Sequence, residues 1–347
     1  MEEKRTEINK IGEFGLIDMI SKKFELVNAE SETGIGDDAA ILQPGKDQKI
    51  VVTSDMLLEG VHFDLSYMPL AHLGFKSIAV NVSDVAAMNA IPKQVTVNIG
   101  LSNRFSVEAV NALYEGIKAA CDHYKVDLVG GDTTSSGSGL VISVTAIGQQ
   151  KADLLVKRSG AQQNDIICVT GDLGGAYMGL NVLEREKQVY IANPDMQPQL
   201  EKYDYIVQRQ LKPDARMDII HELAELSIKP SSMIDISDGL ASELMHLSAN
   251  SNVGVAIYED KLPIDKQTYD TAYEFKIDPT TCALNGGEDY ELLFTISQDD
   301  FEKLKNHRDI HFIGYVHEKE KGNVMQSKNG NTVPIQAQGW DHLKQND

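Results

Sequence analysis

Over residues 94–101 apolar and polar positions alternate strictly, placing Val95, Val97, Ile99 and Leu101 on one face of a half-buried strand. The stretch before it repeats with a helical period instead. Across 73–88, Phe75, Ile78, Val82 and Val85 line an apolar stripe, while Leu73, Ser77, Val80 and Asp84 share a neighbouring row. Alanines at 79, 86, 87 and 90 suit close packing of this helix on a sheet. Asn81 and Asp84 stand three apart, so both can face one ligand. Ser106 is placed to cap a second amphipathic helix reaching about residue 124, with Val110, Leu113, Ile117 and Cys121 inward. A shorter helix over 13–24 carries Phe14, Ile17, Ile20 and Phe24. Apolar runs at 39–42 and 50–52 flank a turn at Pro44-Gly45 and predict a hairpin, and runs at 126–129 and 140–148 predict further strands. These elements make a mixed β/α layer of ordinary domain size.

A boundary falls within 149–157, giving an N-terminal α/β domain over 1–150 and a C-terminal α+β domain over 151–347. The second half begins with a strand at 165–170 running into the glycine turn Gly171-Asp172-Leu173-Gly174-Gly175, which opens a helix. A polar surface connection with Pro194 and Pro198 follows over 184–199, then helices at 200–211 and 215–226 broken by Pro213. Residues 233–236 form a short strand that leads straight into a helix, with Ser237 as N-cap and Asp238 as an acid of the first turn. Strands at 253–258 and 292–296 complete the pattern.

Acidic residues punctuate these apolar runs at 34–38, 51–55, 81–84, 128–132, 235–238 and 285–289, mostly beside small or hydroxyl residues. One strand-end acid is an ordinary solvated side chain; six clusters in one chain look like a site. Converging bare, each carboxylate pair about 4 Å apart would cost roughly 4 kcal/mol at an effective dielectric near 20. Carboxylate and hydroxyl oxygens are ligands for hard Mg²⁺ or Ca²⁺ rather than zinc, and Mg²⁺ so held usually shares its shell with substrate phosphates. Neither a G-x-x-x-x-G-K-[ST] nor a G-x-G-x-x-G motif occurs, so any nucleotide is not held by a P-loop or Rossmann turn.

Composition narrows the classes. A formal net charge of −20 disfavours nucleic acid and anionic membranes as partners. No apolar run approaches a membrane span, and the charged start MEEKRTEINK has no signal core, so a cytoplasmic protein is expected. Cys121, Cys168 and Cys282 are scattered without pairing or metal-ligand spacing, which fits a reducing compartment.

The blocks GIGDDAAIL, TSDMLLEGVHF, KSIAVNVSDVAAM, GGDTT, RSGA, VTGDLGG, IDISDGLASEL, GGEDYELLFT and the closing GW-DH, in this order, resemble the thiamine-monophosphate kinase family over nearly the whole chain. The resemblance implies the two-domain fold of the aminoimidazole-ribonucleotide-synthetase superfamily, with an N-terminal sheet that pairs in a homodimer. It also implies phosphorylation of thiamine monophosphate by ATP to thiamine diphosphate. By position, Asp38, Thr53, Ser54, Asp55, Asp84, Asp132, Asp235 and Asp238 match that family's Mg²⁺ ligands. Tyr114, Gly131, Asp132, Arg158 and Ser237 match its ATP contacts, and His62, Glu288 and Trp340 match its contacts to thiamine monophosphate. The chain departs from the family at Ala215, where a second proline is common, and at Ala176-Tyr177 after the glycine turn. The acceptor is an ionised phosphate and no side chain is a convincing nucleophile, so direct in-line transfer assisted by several Mg²⁺ ions is expected. Two readings stand beside it: another enzyme of the superfamily, such as aminoimidazole ribonucleotide synthetase, and a non-catalytic sensor of Mg-nucleotide. The selenophosphate and hydrogenase-maturation relatives use a cysteine near one chain end, and here the first cysteine is Cys121 and the last Cys282.

Overall fold

The computed structural model describes residues 6, 10, 12–35 (12–14 as backbone) and 39–337. Asp38 and Trp340, and with them two of the expected ligands, lie outside the described residues. The chain divides into two compact units, 1–86 with 90–155 and 87–89 with 156–347.

The first unit contains α1 (Gly12–Ser21), β1 (Ser31–Thr33), β2 (Ile41–Leu42), β3 (Gln48–Leu58), α2 (Leu70–Ala87), β4 (Ile91–Leu101), α3 (Val107–Tyr124), β5 (Asp127–Ser135) and β6 (Leu140–Lys151). Four of these strands form one sheet in the order β3-β6-β4-β5, antiparallel except for the parallel β4–β5 pair. The α2 stripe is buried as its period requires: Ile78, Val82 and Val85 are fully enclosed, as are Val95 and Ile99 of β4 and Ile142 of β6. Ser106 caps α3, its hydroxyl accepting from the amide of Ala109 at 3.2 Å.

The expected hairpin at 39–52 does not form. β2 pairs with β1, and β3 pairs with β6 along all of its length, from Gln48↔Lys151 to Leu58↔Val141. The Pro44-Gly45 turn is locally compatible with a hairpin, but a twelve-residue partner distant in sequence outcompetes a two-residue one. β3 therefore runs on to Leu58, and Thr53, Ser54 and Asp55 sit in its middle rather than at its end. β5 likewise extends past Val129, which makes Gly131 and Asp132 strand residues.

The second unit contains β7 (Ile166–Thr170), α4 (Gly175–Ala192), α5 (Asp204–Leu211), α6 (Met217–Glu225), β8 (Ser232–Asp235), α7 (Leu240–Ser251), β9 (Gly254–Tyr258), α8 (Lys266–Glu274), α9 (Pro279–Asn285), β10 (Leu292–Ile296), α10 (Gln298–Leu304), β11 (Ile310–His317), β12 (Asn323–Gln326) and β13 (Thr332–Pro334). Its seven-stranded sheet has the order β13-β12-β9-β11-β7-β10-β8 and is antiparallel apart from β9–β12. Ile167, Val169, Ile234, Leu244, Leu247, Val255, Leu293 and Ile313 build its core. α4 continues to Ala192, so 184–192 is helical rather than a surface connection, and the connection begins only before Pro194. Among the described residues no helix is long and apolar enough to cross a membrane.

Candidate active site

In the first unit the pleat of β3 sorts the expected ligands. Thr53 and Asp55 point to one side, where the Thr53 hydroxyl donates to Asp84 Oδ2 at 2.5 Å and the Asp55 amide donates to Asn81 Oδ1 at 3.1 Å. Asn81 and Asp84 do face one place, three residues apart on α2, and that place is β3. Ser54 points to the opposite side, its hydroxyl donating to the Val144 carbonyl at 3.1 Å and lying 3.0 Å from Thr145 Oγ1. The structure thus joins Thr53, Asp55, Asn81 and Asp84, and sends the Ser54 hydroxyl away from them.

Two carboxylates on one patch carry an electrostatic penalty. Burial first, and the charge of Asp84 second, push the Asp55 carboxyl up to about 6. Among the described residues no three acidic, histidine or cysteine side chains stand close enough to hold a metal by themselves. The patch instead offers two carboxylates, a threonine hydroxyl and an asparagine amide, oxygen donors that fit a hard divalent cation sharing its shell with phosphate.

This penalty has a measurable consequence. A carboxyl raised in the folded state binds its proton more readily there than in the unfolded chain. Stability is therefore lost as pH rises from about 4 through 6, by about 1–2 kcal/mol after discounting for partial exposure. Metal-free Asp55→Asn should melt a few degrees above the parent at pH 7, and the gap should close near pH 4. A gap of equal size at both pH values would remove Asp55 as its source. Added Mg²⁺ should raise the parent's melting temperature by more than the variant's.

Tyr114, Gly131 and Asp132 share a half-open cleft of about 90 Å³ with Ile17, Ile20, Ile35, Val97 and Leu128. Gly131 has a packing reason as well: a Cβ there would fall 1.9 Å from the Val97 carbonyl, so any side chain would part β5 from β4. The cleft has apolar walls and an aromatic face, with an acid and glycine backbone at its edge. His62 lies in the turn after β3, where its Nδ1 accepts from the Leu58 amide at 3.0 Å and fixes the neutral ring as Nε2–H. Beside that turn is a second cleft, lined by Leu58, Glu59, Gly60, Arg104 and 138–141, in which Arg104 pairs with Glu59.

In the second unit Asp235 ends β8 and is 4% exposed, whereas Asp238 is exposed and Ser237 half-buried. Ser237 does not cap α7. Gly239 is the N-cap residue, at φ 117°, a conformation that serine avoids, and no side chain caps there. The acid of the first turn is Glu243, not Asp238; it reaches back so that Oε1 accepts from the Asp238 amide at 3.1 Å. Glu243 is 2% exposed, and burial pushes its carboxyl up to about 8. Arg158 is exposed in a loop pinned by Ser251, whose Oγ accepts from the Gly160 and Ala161 amides at 3.1 and 3.2 Å.

The loop 286–291 lies against the Asp235–Asp238 turn through three backbone bonds. The Glu288 amide donates to Ser237 O at 2.7 Å, the Tyr290 amide to Ile236 O at 2.8 Å, and the Ile236 amide to Glu291 O at 2.7 Å. The sequence groups Glu288, Asp289 and Glu291 as one acidic cluster, but their fates differ. Asp289 is buried and accepts from the Gly174 and Ala176 amides at the start of α4, at 2.7 and 3.3 Å. Glu291 is gripped by Arg209 at 2.9 Å, Arg216 at 2.7 Å and the Thr170 hydroxyl at 2.6 Å. Only Glu288 remains half-buried, accepting at 2.7 Å from the Gln210 amide. Arg209, Gln210, Arg216 and Glu243 escaped the sequence reading. The one available signal was a pair of arginines flanking a helix break at Pro213. The three thiols are buried, with those of Cys121 and Cys282 pushed up to about 12, which leaves no thiolate nucleophile.

Residues 36–150 match the family described as AIR synthase related protein, N-terminal domain. The thiamine-monophosphate kinase of Bacillus subtilis (strain 168) is 35% identical over 337 residues, 96% of this chain and 99% of that protein. The crystal structure of thiamine-monophosphate kinase from Stenotrophomonas maltophilia K279a superposes with a TM-score of 0.78 at 34% identity, covering 93% of this chain and 98% of that one. A structure of AaThiL complexed with AMPPCP and TMP gives a TM-score of 0.75 at 35% identity, over 99% and 100% of the two chains.

Proposed function

Because the chain belongs to the thiamine-monophosphate kinase family, we propose that it transfers the terminal phosphoryl group of ATP directly to the phosphate of thiamine monophosphate, giving thiamine diphosphate. The observation that carries this reading is the Thr53–Asp55–Asn81–Asp84 patch, whose oxygen donors and raised Asp55 carboxyl call for a cation. Phosphoryl transfer asks a protein for positioning and charge neutralisation, not for a nucleophile. Bound Mg²⁺ would supply the neutralisation that two anionic substrates require. Thr53, Asp55 and Asp84 would hold it in the first unit; Asp132, Asp235 and Asp238, with Asp38, are the further candidates. The metal role expected of Ser54 finds no support in its side chain, which is turned away.

Nucleotide recognition we assign to the Tyr114–Gly131–Asp132 cleft of the first unit, whose apolar walls suit an adenine ring. In the second unit, Arg158 and Ser237 are the candidates for contacts to phosphate. His62 can donate from Nε2 to the acceptor. The Glu288 carboxylate suits thiamine's permanently cationic thiazolium. Trp340 offers that cation an aromatic face, worth about 0.5–2 kcal/mol, so Trp340→Ala should raise the acceptor KM about 2- to 30-fold and spare the ATP KM. Equal rises in both constants would make the residue a structural anchor.

The reaction itself is checked by supplying ATP and Mg²⁺ with thiamine monophosphate or with thiamine and identifying the products. Thiamine diphosphate should form from the monophosphate alone, and EDTA should stop it reversibly. ATP consumption indifferent to the acceptor would sink the proposal. The chain is further read as a cytoplasmic homodimer joined through the first unit. β3 is an edge strand of eleven residues on which Ile50, Val52 and Met56 are 48, 61 and 53% exposed, all on the side away from Asp55. A monomeric mass in light scattering, with activity retained, would refute that pairing.

A further inference from the structure

The acidic loop after α9 splits its three carboxylates between two kinds of partner. Asp289 and Glu291 face inward and meet positive groups, the helix N-terminus for one and two guanidiniums for the other. Glu288 is met from α5 by an uncharged donor, the amide of Gln210, itself 4% exposed. The neighbouring residue, Arg209, ties the same end of α5 to the same loop through Glu291 Oε1 and the carbonyl of Asp289 at 3.2 Å. Arg209 also donates to the Asp172 carbonyl at 3.0 Å. Gln210 is thus carried on a helix end whose position relative to Glu288 is fixed.

The backbone at Glu288 is held in a costly shape. Glu288 and Tyr290 have φ of 66° and 52°, left-handed values that non-glycine residues adopt only at a cost. Such strain persists only where surrounding contacts over-determine it, and here they are the three backbone bonds to Ile236 and Ser237. The outcome is a carboxylate at a fixed place, oriented by a neutral group. An arginine at 210 would orient Glu288 too, but it would bring a positive charge against the carboxylate; glutamine orients it without adding one.

Resting on the reading of Glu288 as a contact to thiamine monophosphate, we infer that Gln210 is a positioning residue for acceptor recognition, holding the Glu288 carboxylate toward the cationic part of the acceptor. Gln210 touches no substrate itself. Its effect belongs to the acceptor KM, with kcat and the ATP KM nearly unchanged.

The test is a double-mutant cycle in steady-state kinetics on the full chain. Gln210→Met keeps the volume and removes the donor, and it should raise the acceptor KM about 10- to 150-fold, the size of a hydrogen bond to a charged group. Glu288→Ala should raise it at least as much. Gln210→Met added to Glu288→Ala should then add almost nothing, because the group it positions is gone. Gln210→Asn, one methylene shorter but still polar, should show the same acceptor-specific loss, and it serves if the methionine variant folds poorly. Additive effects in the double variant, or an unchanged acceptor KM in Gln210→Met, would overturn the positioning role while leaving Glu288 as a contact. A normal acceptor KM in Glu288→Ala would overturn both. Parallel rises in the ATP and acceptor constants would reduce Gln210 to packing.

Discussion

Asp55→Asn should retain no more than about a hundredth to a thousandth of the parent's turnover at low Mg²⁺, while folding normally. The substitution is isosteric, and the Asp55 amide keeps its bond to Asn81 Oδ1 because that bond uses the backbone. What disappears is one of two carboxylates facing each other between β3 and α2. Removing one preorganised electrostatic group from a reaction of this kind typically costs about 10²–10³ in rate. Part of the loss should return at high Mg²⁺, since Thr53 and Asp84 remain as donors. A titration of turnover against Mg²⁺ reads both effects, and near-full activity of the variant at low Mg²⁺ would remove Asp55 from the metal site. The same variant is expected to be the more stable protein without metal. Opposite signs for activity and stability at one residue mark a group that the fold tolerates for its chemistry.

Glu291→Ala should destabilise the protein by about 3–5 kcal/mol, the largest stability effect expected of any single change discussed. Glu291 is 2% exposed and receives Arg209, Arg216 and Thr170. The side chains of those arginines are themselves only 15 and 10% exposed. Deleting the carboxylate removes the acceptor shared by two guanidiniums that cannot be deprotonated, leaving Arg216 to Asp218 and Asp309 and Arg209 to the carbonyls of Asp172 and Asp289. Glu291→Gln keeps the acceptor oxygen and part of the geometry and should cost clearly less. Urea midpoints of the two variants decide it, and a loss below about 1 kcal/mol for alanine would mean that water or the neighbouring Asp218 and Asp309 already screen the pair. Because Arg209 also binds the Asp289 carbonyl, the loop holding Glu288 should loosen in the alanine variant.

The sequence was most informative where burial follows a local period. The stripe of α2, the alternation of β4, the Ser106 cap and the apolar β10 are each written in adjacent residues and stand in the structure as expected. Long-range pairing is where it misled. Nothing near 39–52 announces that β3 will take β6, some ninety residues on, rather than the adjacent apolar run. The pleat that follows from that pairing separates Ser54 from Asp55, which no count of hydroxyls and acids can reveal. At Ser237 the error was one of backbone geometry, since a serine beside an apolar run reads as a cap until Gly239 takes the left-handed turn and Glu243 supplies the acceptor. The acidic loop shows the limit of composition: three carboxylates within four residues read as one cluster, yet two are buried against positive groups and one is half-buried beside an amide. Their roles depend on Arg209, Gln210 and Arg216, brought in from a helix end some seventy to eighty residues earlier in the chain.

The most direct measurement is to follow ATP labelled in its terminal phosphate, with Mg²⁺ and thiamine monophosphate, and locate the label. The label should appear as the terminal phosphate of thiamine diphosphate, in step with ADP release. Label found only in inorganic phosphate, or retained in ATP by folded protein that binds the nucleotide, would contradict it and leave a hydrolase or a sensor in place of the kinase.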